Sequence, residues 1–229
     1  MILVARRKER LEELAVDLTS HYGIEALPLP LDLTEPQFLP QLIEKVGHRQ
    51  VGLLVNNAGF GSTGLYSTTD ADREARMVRL HCLAPVMLTH HFIRPMVQRR
   101  KGGVIFVGSI VGTMPVPYIA TYSATKVFNM FMGNALWYEM KEHNVDVLAL
   151  APGGTRTEFS DNISRMASPI AAEPEQVVRT AMKSLGKRPY VTHGLHNKVW
   201  GKIVRYFPMK TSLKIHGWFV KQTTKFHKE

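Results

Sequence analysis

Apolar positions along the chain fall into two rhythms. Short continuous apolar runs predict buried strands, and apolar residues every three or four positions predict helices. Residues 2–5 (Ile-Leu-Val-Ala) predict a strand, and residues 7–22 a helix with Leu11, Leu14, Ala15 and Leu18 on one face. Ala26–Leu31 predicts a second strand, broken by prolines and closed by Asp32; residues 35–47 read as a helix. Val51–Val55 is a strand running into Asn56-Asn57-Ala58-Gly59. A long helical pattern covers residues 70–100 through Met77, Leu80, Leu83, Ala84, Met87 and Leu88. Val104–Val107 is a strand, residues 121–143 a helix, and Val145–Leu150 a strand ending in Pro152-Gly153-Gly154. Glu175–Leu185 is a helix and Tyr190–Thr192 a last short strand. Strands alternating with helices of ten residues or more, several of them wholly apolar, predict an α/β fold with a doubly wound parallel sheet covered on both faces.

Length and composition narrow this only a little. The chain has 229 residues, 45% apolar and 21% charged, as an ordinary globular protein has. No apolar run reaches the roughly 18 residues of a spanning helix. The amino end runs apolar then basic, the wrong order for a secretory signal. The single cysteine, Cys82, suits a reducing compartment, so a cytoplasmic location is expected.

Charge changes the picture more. The net charge is +10, and residues 190–229 carry eight lysines and arginines against one acid. The chain therefore divides into a domain over residues 1–192 and a basic extension over 193–229. In the extension Trp200, Ile203, Val204 and Phe207 fall at i, i+3, i+4 and i+7, interleaved with Lys198, Lys202 and Arg205. That is an amphipathic helix, and Trp218-Phe219-Val220 adds a second apolar cluster. Packing against the domain or a subunit partner in a homo-oligomer is one reading. Peripheral contact with a membrane is the other. No nucleic-acid motif accompanies the charge, so no nucleic-acid partner is expected.

Ligands in doubly wound sheets bind beyond the carboxyl ends of the strands. Distinctive residues follow each strand here: Arg6-Arg7-Lys8, Asp32, Asn56–Gly59, Ser109 and Pro152-Gly153-Gly154. Tyr122 and Lys126 stand at i and i+4, on one helical face. An ammonium beside a phenol favours phenolate, which predicts a lowered pKa for Tyr122 and a proton donor or acceptor usable near neutrality. A second pair, Tyr206 and Lys210, has Pro208 inside it, which disturbs the helix that alignment needs. Ser109 lies 13 residues before Tyr122 at a strand end, where its hydroxyl can hold a carbonyl oxygen.

Asn56-Asn57-Ala58-Gly59, Ser109 with Tyr122-x-x-x-Lys126, and Pro152-Gly153 with Thr157 together resemble the short-chain dehydrogenase/reductase superfamily over roughly residues 1–192. Within it the chain looks most like the broad bacterial group of short-chain reductases with a basic extension. The resemblance implies a Rossmann-like fold and hydride transfer between a nicotinamide dinucleotide and a carbonyl or alcohol. It implies Tyr122 as general acid and base, Lys126 as modulator of the tyrosine and ligand of the nicotinamide ribose, and Ser109 as holder of the substrate oxygen. Asn56, Ala58 and Gly59 would line the adenosine side, and Asp32 and Leu33 the adenine. Pro152, Gly153, Thr155 and Thr157 would frame the nicotinamide. No acid follows the first strand before Glu9, and Arg6 suits a 2′-phosphate, so NADP(H) is expected over NAD(H).

Two positions depart from the family pattern. His81 stands in His81-Cys82-Leu83-Ala84-Pro85 where the family has an Asn that serves a proton relay. His81 either takes over that relay, since imidazole titrates near neutrality, or is a packed side chain. No metal constellation is seen. The first strand and the T-G-x-x-x-G-x-G turn of the family have no counterpart, so the expected domain lacks its first βα unit. A start codon assigned too late, or a truncated gene product, would explain this. The missing strand is central in the family sheet, so its neighbours would be left unpaired. Residues 158–189 match the region that caps the substrate and carry Phe159, Ile163, Met166, Ile170, Ala171 and Ala172, which predicts an apolar carbonyl compound. The competing expectation is a non-catalytic binding or regulatory protein on a damaged version of the fold.

Overall fold

The structure, a computed structural model, describes residues 1–159, 171–204 and 206–223. The expected lid residues Ile163, Met166 and Ile170, and Arg205 of the tail, lie outside the described residues. The fold is α/β, with parallel strands and flanking helices. The chain divides into two compact units, Met1–Val51 and Gly52–Glu229.

In the first unit, β1 (Ile2–Ala5) pairs in parallel with β2 (Leu27–Pro30), Ile2 opposite Leu27 and Ala5 opposite Pro30. Helix α1 (Lys8–Tyr22) joins them and buries Leu11 and Ala15, one helical turn apart. Leu14, placed by its spacing on that face, is instead 45% exposed. The helix stops at Gly23, whose φ of +62° no β-branched residue would adopt easily; its N–H closes on Thr19 O at 2.9 Å. Helix α2 (Phe38–Val46) buries Phe38, Leu42 and Val46, spaced by four.

The second unit holds a four-stranded parallel sheet in the order β3 (Leu53–Asn56), β4 (Gly102–Val107), β5 (Val145–Ala151), β6 (Tyr190–Thr192). Val104, Ile105 and Phe106 of β4 and Val147, Leu148 and Ala149 of β5 are buried, as central parallel strands require. Among the described residues β1 pairs only with β2 and β3 only with β4. Leu53 and Val55, on one face of β3, are exposed, at 38% and 48%.

The single long helix expected over residues 70–100 is interrupted. Helix α3 (Ala71–Val78) runs into one turn of π-helix over Arg79–Leu83, and α4 (Ala84–Gln98) continues from it. The reason is Pro85, which has no N–H for the carbonyl four residues back, that of His81. The Asn129 amide supplies the donor instead, 2.7 Å from His81 O. A π turn inserts a residue and re-aims the side chains around it, and it is His81 that this turn carries. Helix α5 (Ala120–Lys141) follows β4, and α6 (Pro174–Ser184) precedes β6. The tail forms two helices, α7 (Leu195–Val204) and α8 (Met209–Thr223). The second, starting just past Pro208, is one that the tail's periodicity does not predict. Tyr206 and Lys210 fall on either side of that break, which removes the competing Tyr/Lys pair.

Candidate active site

Because the four strands are parallel, their carboxyl ends lie on one side of the sheet. Asn56 closes β3, Ser109 follows β4 and Pro152 follows β5. The Ile110 N–H donates to Pro152 O at 2.9 Å and joins two of these ends. Ser109 is extended and caps the short helical turn Ile110–Thr113, its Oγ accepting the Val111 N–H at 3.3 Å.

Helix α5 delivers Tyr122 and Lys126 to the same place. Both are buried, and the Tyr122 hydroxyl is hydrogen-bonded to Ser109. Lys126 Nζ donates to Val107 O at 3.0 Å and lies 5.7 Å from the centre of the Tyr122 ring. Ser109, from the end of a strand, and Tyr122 and Lys126, from a helix, are thus one cluster.

The protonation states differ from the expectation. Burial pushes the Tyr122 phenol well above its ordinary value, and the Ser109 hydrogen bond offsets only part of that. Burial likewise pulls Lys126 down to about 8. The proximity of an ammonium predicts a lowered tyrosine pKa, but here desolvation of the phenolate is the larger effect. Tyr122 therefore holds its proton throughout the neutral range.

His81 is 1% exposed and sits edge-on to Tyr122, ring centres 5.9 Å apart. Its Nε2 accepts the Phe60 N–H at 3.0 Å, so the ring proton is on Nδ1, which donates to Thr125 Oγ1 at 2.9 Å. The Thr125 hydroxyl in turn donates to the backbone carbonyl of Tyr122 at 2.9 Å. Burial, and behind it the Lys126 charge, hold His81 down to about 3. Of the two expectations for His81, these contacts favour the packed side chain over the relay: the imidazole does not titrate near neutrality, and both its nitrogens are occupied. It is a clamp joining the loop after β3 to the helix that carries Tyr122. Gly59 makes room for it, since a Cβ there would stand 2.7 Å from His81 Nε2.

An apolar shell surrounds the tyrosine. Met77, Val116, Ile119 and Val220 are buried with it, and Phe60, Val111, Met114, Tyr118 and Phe159 pack against them. The Phe159 ring lies 5.9 Å from that of Tyr122. Val220 belongs to the tail helix α8, so the tail is part of this shell. Helix α7 also reaches the site: a Cβ on Gly153 would stand 2.2 Å from Asn197 Nδ2.

The remaining predicted residues are distributed as follows. Asn56 is buried and its amide donates to Thr89 Oγ1 at 3.0 Å. Ala58 and Thr157 are exposed, and Pro152, Gly153 and Thr155 are half-buried. In the first unit Arg6 is exposed, Leu33 is buried, and Asp32 Oδ1 accepts the Thr34 N–H and hydroxyl at 2.9 and 2.7 Å. Sequence reasoning missed Thr125, Asn129, Asn197 and Val220. Pro85 was a legible signal for Asn129, because its missing N–H leaves the His81 carbonyl in need of a donor.

Two buried atoms bear on a dinucleotide. Lys126 has three N–H donors, and the hydrogen bond it makes within the protein is to Val107 O. Asn56 Oδ1 is buried without a donor from the protein. Such groups fit ribose hydroxyls.

The family model for short chain dehydrogenases matches residues 1–168. A 7beta-hydroxysteroid dehydrogenase from Clostridium sardiniense is 34% identical over 191 residues, covering 82% of this chain and 73% of that protein. A very-long-chain 3-oxoacyl-CoA reductase from Neurospora crassa is 30% identical over 81% of this chain, which spans just 57% of that protein. Among solved structures, one from work on 7beta-hydroxysteroid dehydrogenase stereoselectivity superposes with a TM-score of 0.87 at 25% identity, covering 94% of this chain and 86% of that one. A short-chain dehydrogenase from Sphingobium yanoikuyae in complex with NADPH superposes with a TM-score of 0.78 at 27% identity, covering 90% and 86%. With its Ser109–Tyr122–Lys126 cluster at the strand ends of a parallel sheet, the chain belongs to the short-chain dehydrogenase/reductase superfamily, a family of oxidoreductases.

Proposed function

We propose that the protein is an NADP(H)-dependent reductase of bulky apolar ketones. The observation that carries this reading is the hydrogen bond between the Ser109 and Tyr122 hydroxyls beside buried Lys126. The nicotinamide cofactor, when bound, supplies or accepts the hydride. In reduction Ser109 holds the carbonyl oxygen and Tyr122, fully protonated at neutral pH, gives that oxygen its proton as the hydride reaches the carbon. Lys126 directs its free N–H groups to the nicotinamide ribose. Asn56 offers its unpartnered carboxamide oxygen on the adenosine side, with Ala58 and Gly59. Pro152, Gly153, Thr155 and Thr157 frame the nicotinamide, and Asp32 and Leu33 the adenine. Arg6 carries the preference for a 2′-phosphate, in line with the NADPH-complexed relative.

The apolar shell around Tyr122 supports a large hydrophobic substrate, and the steroid and acyl-chain relatives have names of that kind. The enzyme would act in the cytoplasm, as a homo-oligomer. The alternative is a non-catalytic binding protein on the same fold.

One experiment separates the two. NADPH binding is titrated, and turnover of 7-keto steroids and 3-oxoacyl thioesters is followed by NADPH oxidation. Tyr122→Phe should remove turnover and leave NADPH binding intact. A wild-type protein that neither binds NADPH nor oxidises it would overturn the proposal. Equal turnover by Tyr122→Phe would overturn the role of the tyrosine.

A further inference from the structure

The two tail helices have opposite inner and outer characters. Their inner sides are seated on the protein. Ser212, His216, Gly217 and Val220 of α8 are buried, with Val220 in the shell of Tyr122. Asn197 of α7 lies against Gly153, and Trp200 stacks edge-on to His216 with ring centres 6.1 Å apart. The tail is therefore a fixed part of the second unit.

The outer sides are apolar and exposed. On α7, Leu195, Val199 and Ile203 stand at i, i+4 and i+8, one stripe, and are 76%, 47% and 45% exposed. Lys198 and Lys202 run beside that stripe, also one turn apart and exposed. On α8, Trp218 and Phe219 are exposed, at 64% and 50%, and exposed Lys214 lies one turn before Trp218. Exposed apolar side chains gathered on two helices that meet through Trp200 and His216 mark an interaction site, whereas single exposed apolar residues would not.

Charge selects the occupant. A second copy seated on this face would bring its own lysines against these, in a chain whose net charge is already +10. A surface that accepts aromatic and aliphatic side chains between lysine-binding anions avoids that repulsion. No helix among the described residues is long and apolar enough to cross a membrane. We infer that α7 and α8 dock the protein on an anionic lipid bilayer, with Leu195, Val199, Ile203 and Trp218 at the headgroup–acyl boundary and Lys198, Lys202 and Lys214 on lipid phosphates. The docking surface is the outer side of helices whose inner side completes the shell of Tyr122, so an apolar substrate dissolved in the bilayer would meet the enzyme at that shell. Docking itself needs neither cofactor nor turnover, and its test stands apart from that of the activity.

The full chain is mixed with vesicles of phosphatidylcholine, alone or with phosphatidylglycerol, at low salt and floated on a density gradient. Binding is expected to the anionic vesicles only and to weaken with salt. Tryptophan fluorescence should shift to the blue on binding and be quenched by brominated acyl chains. Each lysine near an anionic surface is worth about fivefold in partitioning, so K198E/K202E should lose about 25-fold or more while its circular dichroism stays unchanged. Absence of binding to the anionic vesicles at low salt overturns the inference, as does equal binding by K198E/K202E. So does self-association that Ile203→Ser abolishes without any vesicle binding, which assigns the face to a second copy. Binding without bromine quenching overturns the insertion of Trp218.

Discussion

Acidification should destabilise this protein through one histidine, His81. The unfolded imidazole titrates near 6.5, and the folded one is held down to about 3 by burial and by the Lys126 charge. A basic group with a depressed folded pKa contributes stability that is present above pH 6.5 and is lost as pH falls toward 3. At pH 5 the unfolded chain has bound the proton and the folded chain has not. The cost there is set by the 1.5-unit distance from 6.5, about 2 kcal/mol at 1.36 kcal/mol per unit. The chain holds nine other histidines, so the measurement is a difference. Urea unfolding of wild type and His81→Asn is followed at about pH 7.5 and 5. The variant is less stable at the higher pH, because it loses the Phe60 and Thr125 hydrogen bonds of the ring. Wild type should lose about 2 kcal/mol of that advantage at the lower pH. An advantage that does not change with pH would show that His81 titrates alike in the folded and unfolded chain, and the clamp would then be refuted. Nitrogen chemical shifts give a second reading, since the clamp requires the proton on Nδ1 and a bare Nε2.

Three further outcomes follow from the same geometry. Lys126→Met should remove activity yet stabilise the ligand-free protein near neutrality by about 2 kcal/mol, after allowing for the lost bond to Val107 O. Wild-type stability rises with pH between about 8 and the ordinary lysine value, so that gain should shrink over the same window in thermal melts. Arg6→Glu should weaken NADPH binding by roughly ten- to a hundredfold, the worth of a charged hydrogen bond, and leave NADH binding close to unchanged in parallel titrations. Initial rates of reduction should stay level from about pH 6 to 7.5 and fall as Lys126 loses its proton near 8, while the rate of alcohol oxidation climbs with pH. A reduction rate that rises through pH 7 would sink the protonation states assigned to Tyr122 and Lys126.

The parts of the site that were legible in sequence are those set by local periodicity. Tyr122 and Lys126 are four apart on a helix whose apolar pattern is unambiguous, and Ser109 sits at the end of a wholly apolar strand. The parallel sheet itself follows from strands too apolar to have a wet face. What was not legible depends on distant neighbours. The phenol beside an ammonium predicts a lowered pKa, yet Met77, Val116, Ile119 and Val220 come from three other parts of the chain to dry the pair and reverse the outcome. The sequence leaves His81 open between relay and packed side chain, and the packed reading gains because Phe60 and Thr125 arrive at its two nitrogens. Leu14 keeps perfect helical spacing and is still 45% exposed, since periodicity says which residues share a face but not whether anything covers it. The break at Arg79–Leu83 was legible in principle, because Pro85 denies a hydrogen bond to the His81 carbonyl. The second tail helix was harder, with Pro208 hiding its start and Trp218-Phe219 splitting its apolar positions between inner and outer sides.

Burial acts on Tyr122 and Lys126 in opposite directions on the pKa scale but to one end. It raises the phenol and lowers the amine, and in both cases it disfavours charge. A pair so dried is poor at holding a phenolate and good at holding a proton ready for an oxygen that gains negative charge. On the proposed reading Ser109 would contribute the second hydrogen bond to that oxygen without adding charge of its own. The clamp at His81 belongs to the same logic: a neutral imidazole fills space beside the tyrosine where a charged one would repel Lys126. The cost is stability, since a buried lysine whose hydrogen bond is to a single carbonyl is an expensive group to keep in a ligand-free protein. A fold retains such a group when something absent from the ligand-free state will use its remaining donors. That is the strongest physical argument that the Ser109–Tyr122–Lys126 cluster is there to act on a bound cofactor and carbonyl, and is not a remnant of packing.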